Sequence, residues 1–275
     1  MGEHVEVDHV TKVYESHNAQ ALPILKDVSF NVDEGDFMCI VGPSGCGKST
    51  LLRIIAGLDK PTSGNVRFFG KTLEGPNPRV SMIFQSFALF PWRTVLQNIE
   101  YGLELRKVPK AEMNRIASEL IDLVGLKGFE NTYPKQLSGG MRQRVGIARA
   151  LAIDPNVVLM DEAFSALDDY TAAALRDEVT EVWEETGKTF ILVTNSLEEA
   201  VQLADSVVVL SARPGHVKSL VDINLKRPRS REDPDFVKVH RELFKLLREE
   251  LETSMIRHKL RGLKEFNEIK DIEKP

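Results

Sequence analysis

The sequence predicts an α/β fold, a mainly parallel sheet whose run of strands is interrupted by a helical insertion. Three observations predict it. Short, largely apolar runs, Phe37 to Val41, Val80 to Phe84, Val157 to Met160, Thr189 to Thr194 and Ser206 to Leu210, read as strands, the first as a parallel strand buried on both faces. A glycine-rich loop joins the first of these runs to a helical pattern, Leu51 to Ala56. Between Ser86 and Asp154 the period changes, and apolar residues recur at helical spacing, as in Met113, Ile116, Ala117, Leu120, Ile121 and Val124.

Taken in order, residues 3–13 alternate polar and apolar and predict a half-exposed strand; Val28 to Val32 predicts a second, ending in the turn Glu34-Gly35-Asp36. Tyr14 lies between them and suits either a filler role or a platform on which a purine ring stacks. The glycine-rich loop reads Gly42-Pro43-Ser44-Gly45-Cys46-Gly47-Lys48-Ser49-Thr50, two glycines followed by Lys and Ser in the pattern that cradles phosphate. Backbone amides at a helix start lack internal partners and the helix dipole adds partial positive charge, so anions are held there. Gly42, Gly45 and Gly47 let the backbone wrap the anion, Lys48 reaches the outer phosphates, and Ser49 is placed for Mg²⁺. Cys46, beside Lys48 in this loop, is expected to favour its thiolate, so that a maleimide inactivates the protein and ATP protects it.

After the first helix, Pro61-Thr62-Ser63-Gly64 predicts a turn, Asn65 to Gly70 a strand, and Gly75-Pro76-Asn77-Pro78 a loop before the run that ends at Gln85. The helical insertion is broken at Pro91, Pro109 and Gly125 to Gly128. Within it Leu137-Ser138-Gly139-Gly140 precedes a helix from Met141 to Leu151, with Ser138 at the N-cap position. That start is either an ordinary cap or a second anion-binding helix terminus. The strands that follow end at Asp161 with Glu162 and at Asn195. In open α/β sheets ligands bind beyond the carboxyl ends of the strands, so Gly42, Gln85, Asp161, Glu162 and Asn195 are expected to converge. A carboxylate facing a phosphate loop suits Mg²⁺, which assigns Asp161 to the metal, and Glu162 to a water aimed at the γ-phosphorus.

The 275 residues are 42% hydrophobic and 28% charged, a balance for one large core or a core with a smaller subdomain. A net charge of −5 gives no footprint for sustained nucleic-acid binding, and the two cysteines, Cys39 and Cys46, make neither a disulfide framework nor a zinc site. Met1 to Tyr14 lacks the apolar centre of a signal peptide, and no run approaches the ~18 apolar residues that span a bilayer.

In their order along the chain to about Val221, these motifs resemble the nucleotide-binding subunits of ATP-binding-cassette (ABC) transporters. The resemblance implies an ABC-type phosphate-loop ATPase core, a mainly parallel sheet plus an N-terminal antiparallel β subdomain, with an inserted helical subdomain. Residues 1–85 and 155–225 would form the core, 86–154 the signature subdomain, and 226–275 a linker and C-terminal helical tail. Tyr14 then matches the adenine-stacking aromatic, Gly42 to Thr50 the Walker A loop, and Gln85 the glutamine that senses the metal. Ser138, Gly139 and Gly140 match the family signature, with Met141 where Gln is commoner. Val157 to Asp161 matches Walker B, Glu162 the catalytic carboxylate, and Ser165 to Asp168 the D-loop.

The resemblance also implies ATP and Mg²⁺ as cofactors and a head-to-tail dimer, with itself or a paralogue, in which Ser138 of one subunit caps the ATP at Lys48 of the other. Transmembrane permease subunits on the cytoplasmic face of the cell membrane, and indirectly a solute-binding protein, complete the partners. Two positions depart from the family pattern: Asn195 stands where His is usual and Ala163 where Pro is usual. An amide can donate to the γ-phosphate but cannot carry a proton, so hydrolysis is expected to be slow but real; the alternative is an ATP-binding regulatory or structural subunit impaired at Asn195.

Past Val221, Arg227-Pro228-Arg229-Ser230-Arg231 reads as a basic linker. A helix opened by Asp233-Pro234 gathers Phe236, Val239, Leu243, Phe244, Leu246, Leu247 and Leu251 on one side, and is expected to pack on the core. The segment from Arg257 to Pro275 is expected to be frayed or regulatory. Ser86 to Trp92 with Asn98-Ile99, together with Asp233 to Phe236, resembles importer ATPases for nitrate, sulfonate, taurine and bicarbonate.

Overall fold

Two sheets share the molecule, and burial explains why their strands differ in pattern. The computed structural model describes residues 3–15 and 21–250. Strands β1 (Glu3–Glu15) and β2 (Ala21–Asp33) form a long antiparallel hairpin, extended by β4 (Ser63–Phe68) and β5 (Lys71–Thr72) in the order β2-β1-β4-β5. The second sheet holds β3 (Phe37–Val41), β6 (Val80–Ile83), β7 (Val157–Asp161), β8 (Thr189–Thr194), β9 (Ser206–Leu210) and β10 (Val217–Asp222), in the order β10-β9-β3-β8-β7-β6. All its pairs are parallel except that of the edge strand β10 with β9.

The apolar runs of this second sheet are continuous because each face has its own core. Phe37, Cys39 and Val41 of β3, with Phe190 and Leu192 of β8, enter one core; Met38 and Ile40, with Ile191 and Val193, enter the other. A period of two thus divides the central strands between two apolar surroundings, and their polar residues, such as Thr189, Thr194 and Ser206, fall at strand ends. Helix α1 (Lys48–Ile55) fills the second core with Leu51, Leu52, Ile54 and Ile55, sandwiched with residues of the antiparallel sheet such as Val5, Val7 and Phe30.

The opposite core takes α2 (Val95–Leu105), α3 (Lys110–Leu123), α4 (Gly139–Ala152), α5 (Asp169–Thr186), α6 (Leu197–Leu203) and a last helix, α7, over 234–250. Helical spacing was expected from Ser86, but the first helix of this group begins only at Val95, where Thr94 and Gln97 close a capping box. Residues 87–94 are instead an irregular stretch pinned from below. The fully buried Asn98 accepts from the Phe90 amide at 2.9 Å and donates to the carbonyls of Phe90, Arg93 and Thr94. Arg149 of α4 donates to the carbonyls of Phe87 and Ala88.

Other expectations shift at their edges. The strand expected over 28–32 is the end of the 13-residue β2, and Tyr14 lies within β1, opposite Leu22. The strand expected to reach Gly70 stops at Phe68, because Phe69 (φ 48°) and Gly70 (φ 71°) turn the chain into β5.

Residues 226–231 form no free linker. Arg229 donates to the carbonyls of Val201 (2.7 Å), Ala204 (2.6 Å), Leu225 (3.1 Å) and Ile223 (3.2 Å), covering the end of α6. Burial, with the neighbouring Arg227 charge, pushes its pKa down to about 10, so it stays charged at neutral pH. Arg227 pairs with Asp205 at 2.8 Å and lies 4.3 Å from the centre of the Trp183 ring. On α7, Phe236, Leu243 and Leu247 enter the core as expected, whereas Phe244 is half exposed. The expectations for Leu251 and for Arg257 to Pro275 lie outside the described residues.

One titratable core residue has a measurable consequence. His4 of β1 is 1% exposed, meets Phe69 edge-on at 4.2 Å, and neither ring nitrogen has a hydrogen-bond partner among the described residues. Burial lowers its pKa against a weaker pull from Glu34. The unfolded chain therefore binds a proton that the folded chain resists, so stability is complete above the ordinary pKa of about 6.5 and declines as pH falls below it. Melting temperatures measured between pH 7.5 and 5 should fall less steeply for His4→Phe than for the parent; equal slopes would remove His4 from the pH response.

Candidate functional site

The carboxyl ends of four adjacent parallel strands carry the predicted polar residues in one row. Strand order β3-β8-β7-β6 lines up the glycine-rich loop, Asn195, Asp161 with Glu162, and Gln85. The convergence expected from the sequence is present because these ends are the first points along each strand where neither face is closed by apolar packing.

In the loop, Gly47 is the N-cap of α1 at φ 111°, and a Cβ there would lie 2.7 Å from Leu25 Cδ2 and 2.9 Å from Ile24 Cγ2. Only glycine satisfies both the dihedral and the packing. Lys48 is 5% exposed and folds back over the loop, donating from Nζ to the carbonyls of Gly42 (2.9 Å) and Pro43 (3.2 Å). Ser44, Gly45 and Ser49 are exposed, and Thr50 is half-buried. Ser49 Oγ donates to Asp161 Oδ1 at 2.8 Å, so the two predicted metal-binding groups already meet.

Glu162 is the most constrained residue of the row. It adopts φ 47°, a left-handed conformation costing a side-chain-bearing residue about 1–2 kcal/mol, and is held there by its amide on Val193 O (2.8 Å) and by Ser165 Oγ on its carbonyl (2.9 Å). The conformation turns the carboxylate between two amides: Gln85 Nε2 donates to Oε2 at 3.2 Å and Asn195 Nδ2 to Oε1 at 2.6 Å. The amide that sequence reasoning gave to a phosphate therefore lies on the neighbouring carboxylate. Ala163 is buried in the turn that follows.

Ser138 caps α4, accepting from the Met141 amide at 3.2 Å, while Gly139 and Gly140 pack toward the start of α5. A Cβ on Gly140 would meet Thr171 Cγ2 at 2.4 Å, and one on Gly139 would meet Leu167 Cδ2 at 3.4 Å. Asp168 caps α5, and the Thr171 amide and hydroxyl hold its carboxyl below the usual range. Within one chain, then, the glycines of the signature abut the D-loop segment rather than the phosphate loop.

Cys46 departs from expectation. It is 1% exposed, with its sulfur against Gly42 and Leu210, and a Cβ on Gly215 would lie 2.3 Å from its carbonyl oxygen. Burial raises the thiol pKa, outweighing the nearby Lys48. The thiolate is disfavoured because the side chain points into the core below the loop while Lys48 lies over it. Sequence reasoning also missed Lys12 and Asp59, which hold Tyr14: the phenol donates to Asp59 Oδ2 at 2.6 Å, and Lys12 Nζ to Asp59 Oδ1 at 2.7 Å. No local pattern signals a partner 45 residues away.

The family model described as "ABC transporter" matches residues 25–165, just over half of the chain. The chain belongs to the ABC transporter family. It is 48% identical to the uncharacterized ABC transporter ATP-binding protein MJ0412 of Methanocaldococcus jannaschii, over 91% of this chain and 94% of that protein. It is 42% identical to the nitrate import ATP-binding protein NrtD of Synechocystis sp. (89% and 95% covered). The aliphatic sulfonates import ATP-binding protein SsuB of Bacillus licheniformis is 45% identical (81% and 86%). The dimeric post-hydrolysis structure of the ATP-binding cassette MJ0796, bound to ADP and Pi, matches with TM-score 0.72 at 34% identity, over 81% of this chain and all of that one. This ABC protein is accordingly an ATP-binding cassette of the ATPase type.

The burial of Cys46 sets an expectation opposite to the one drawn from sequence. In the folded ABC protein a maleimide should react with Cys46 at least tenfold more slowly than in urea, with or without ATP. Mass spectrometry of the labelled peptide checks this, and rapid labelling of the native chain would contradict the buried geometry.

Proposed function

We propose that this ABC protein is the motor subunit of an importer for a small anionic solute of the nitrate or sulfonate type. The observation that carries the reading is the single row of strand ends, in which Ser49 meets Asp161 while Gln85 and Asn195 hold Glu162. The solute class rests on the names of NrtD and SsuB, relatives that carry anions. In this reading residues 1–85 and 155–225 bind nucleotide, and 86–154 carry the signature to a second subunit, a copy or a paralogue. The molecule works at the cytoplasmic face of the membrane on permease subunits fed by a solute-binding protein. No helix among the described residues is long and apolar enough to cross a membrane, so in this reading the permease does the spanning.

Lys48 exchanges its two carbonyl partners for outer phosphate oxygens, and the loop amides bind the phosphate chain. Tyr14 stacks on the adenine, and Ser138, Gly139 and Gly140 of the partner subunit close the site from the other side. Ser49 and Asp161 fit a magnesium ion, and Gln85 reaches toward it. When bound, that ion neutralises charge on the transferring phosphoryl group. Glu162 orients the attacking water and takes its proton; the amides of Gln85 and Asn195 fix both carboxylate oxygens without supplying a titratable group.

Steady-state MgATP hydrolysis by the purified chain should rise more steeply than protein concentration, as a dimeric site requires. Glu162→Gln should lose about 10²-fold or more. The parent should lack an imidazole inflection between pH 6 and 8, and Asn195→His should gain one along with a faster rate. ATP binding without turnover, even in liposomes holding the cognate permease and solute-binding protein, would instead favour the regulatory subunit impaired at Asn195.

A further inference from the structure

The end of β1 that carries Tyr14 is fastened to the loop that follows α1, just beyond the last β1–β4 pair, Thr11 with Ser63. Tyr14 donates its phenol to Asp59 Oδ2 at 2.6 Å. The other oxygen of Asp59 accepts from Lys12 Nζ at 2.7 Å and from the Lys60 amide at 2.8 Å. Lys12 also donates to the Lys60 carbonyl at 2.7 Å, and its ammonium lies 4.7 Å from the centre of the Tyr14 ring. One step along, Thr62 N donates to Thr11 O at 2.7 Å and Thr62 Oγ1 accepts from Val13 N at 3.0 Å. Residues 11–14 and 59–62 are thereby laced together on both backbone and side chains.

The lacing matters because of what lies at the other end of α1. That helix begins at Lys48 in the phosphate loop and ends at Ile55, about 12 Å of rigid rod. Its exit at Gly57 (φ 71°) is locked, since a Cβ there would lie 2.3 Å from Gly75 O. The phosphate loop, α1, Asp59 and Tyr14 are therefore one mechanically continuous unit. Tyr14 is 39% exposed, and Lys12 covers one face of its ring, so a planar ligand has only the opposite face. Partial burial opposes ionisation of Asp59, yet the hydrogen bonds from Lys12 and Tyr14 hold its carboxyl below the usual range, consistent with a charged acceptor at the centre of the cluster.

We infer that Asp59 and Lys12 are positioning residues that fix Tyr14 as a one-faced platform for the base of the nucleotide, at a distance from the phosphate loop set by α1. The inference rests on the reading above that Tyr14 stacks on adenine. A ring free to rotate about its side-chain bonds would have to be ordered on binding; the Asp59 bond orders it beforehand, which strengthens binding without touching the ligand. The effect is confined to ligands that carry a base.

Calorimetric titration of the full chain with ATP, and with inorganic tripolyphosphate as a probe lacking base and sugar, tests this on Tyr14→Ala, Tyr14→Phe, Asp59→Ala, Lys12→Met and the Tyr14→Phe/Asp59→Ala pair. Loss of stacking in Tyr14→Ala should weaken ATP about tenfold. Tyr14→Phe, which keeps the ring and loses only the anchor, should weaken ATP about threefold; Asp59→Ala should match it, the pair should be no worse than either single change, and Lys12→Met should fall between these and the parent. Tripolyphosphate affinity should be unchanged throughout. Wild-type ATP binding by Tyr14→Phe and Asp59→Ala beside a weakened Tyr14→Ala overturns the clamp and leaves the platform standing. Wild-type binding by Tyr14→Ala overturns the platform reading and the clamp with it. Equal weakening of ATP and tripolyphosphate by Asp59→Ala shows general loosening of the phosphate loop, and also overturns the clamp.

Discussion

Burial of the parallel sheet on both faces is the constraint from which the site follows. Met38 and Ile40 face one core and Phe37, Cys39 and Val41 the other, so β3 can carry nothing polar until Gly42. The same holds for β7 up to Asp161 and for β8 from Phe190 to Thr194, whose buried hydroxyl bonds to the Glu199 carboxylate. Chemistry is confined to the line where the strands run out, and parallel pairing puts four such ends side by side.

At that line the structure contains strain and its remedy together. The left-handed turn at Glu162 would be unfavourable in an isolated peptide; here a backbone bond to β8 and a hydroxyl from Ser165 hold it. Gln85 and Asn195 come from strands on either side of the one that carries Glu162, so the carboxylate's position records the spacing of three strands at once. A loop alone would not hold an acid so closely.

How much of this was legible in the sequence depended on range. The phosphate loop, the strand-end residues and the cap at Ser138 are local chemistry, in which one residue type at one spacing dictates one geometry. The apolar runs were legible for the same reason, since a strand buried on both faces leaves no ambiguity of period. What escaped were partnerships across the fold. Cys46 lies two residues from Lys48 in sequence, but its side chain is buried in the core, so adjacency suggested the wrong environment. Residues 87–94 lie in the stretch expected to be helical from Ser86, yet the buried amide of Asn98 holds their backbone groups in an irregular path. Asp59 and Tyr14 stand 45 residues apart, and the path of α1 with the pairing of β1 and β4 brings them together.

The fastening of Arg229 places a demand on the order of synthesis. A chain leaving the ribosome completes every strand of the parallel sheet by Asp222, and the helix before β9 much earlier. Yet the carbonyls of Val201 and Ala204 acquire their guanidinium partner only when Arg229 emerges, more than 20 residues later. Until then those carbonyls have only water as a partner from outside the helix. The basic segment fastens to the core before the terminal helix adds Phe236, Leu243 and Leu247 to it.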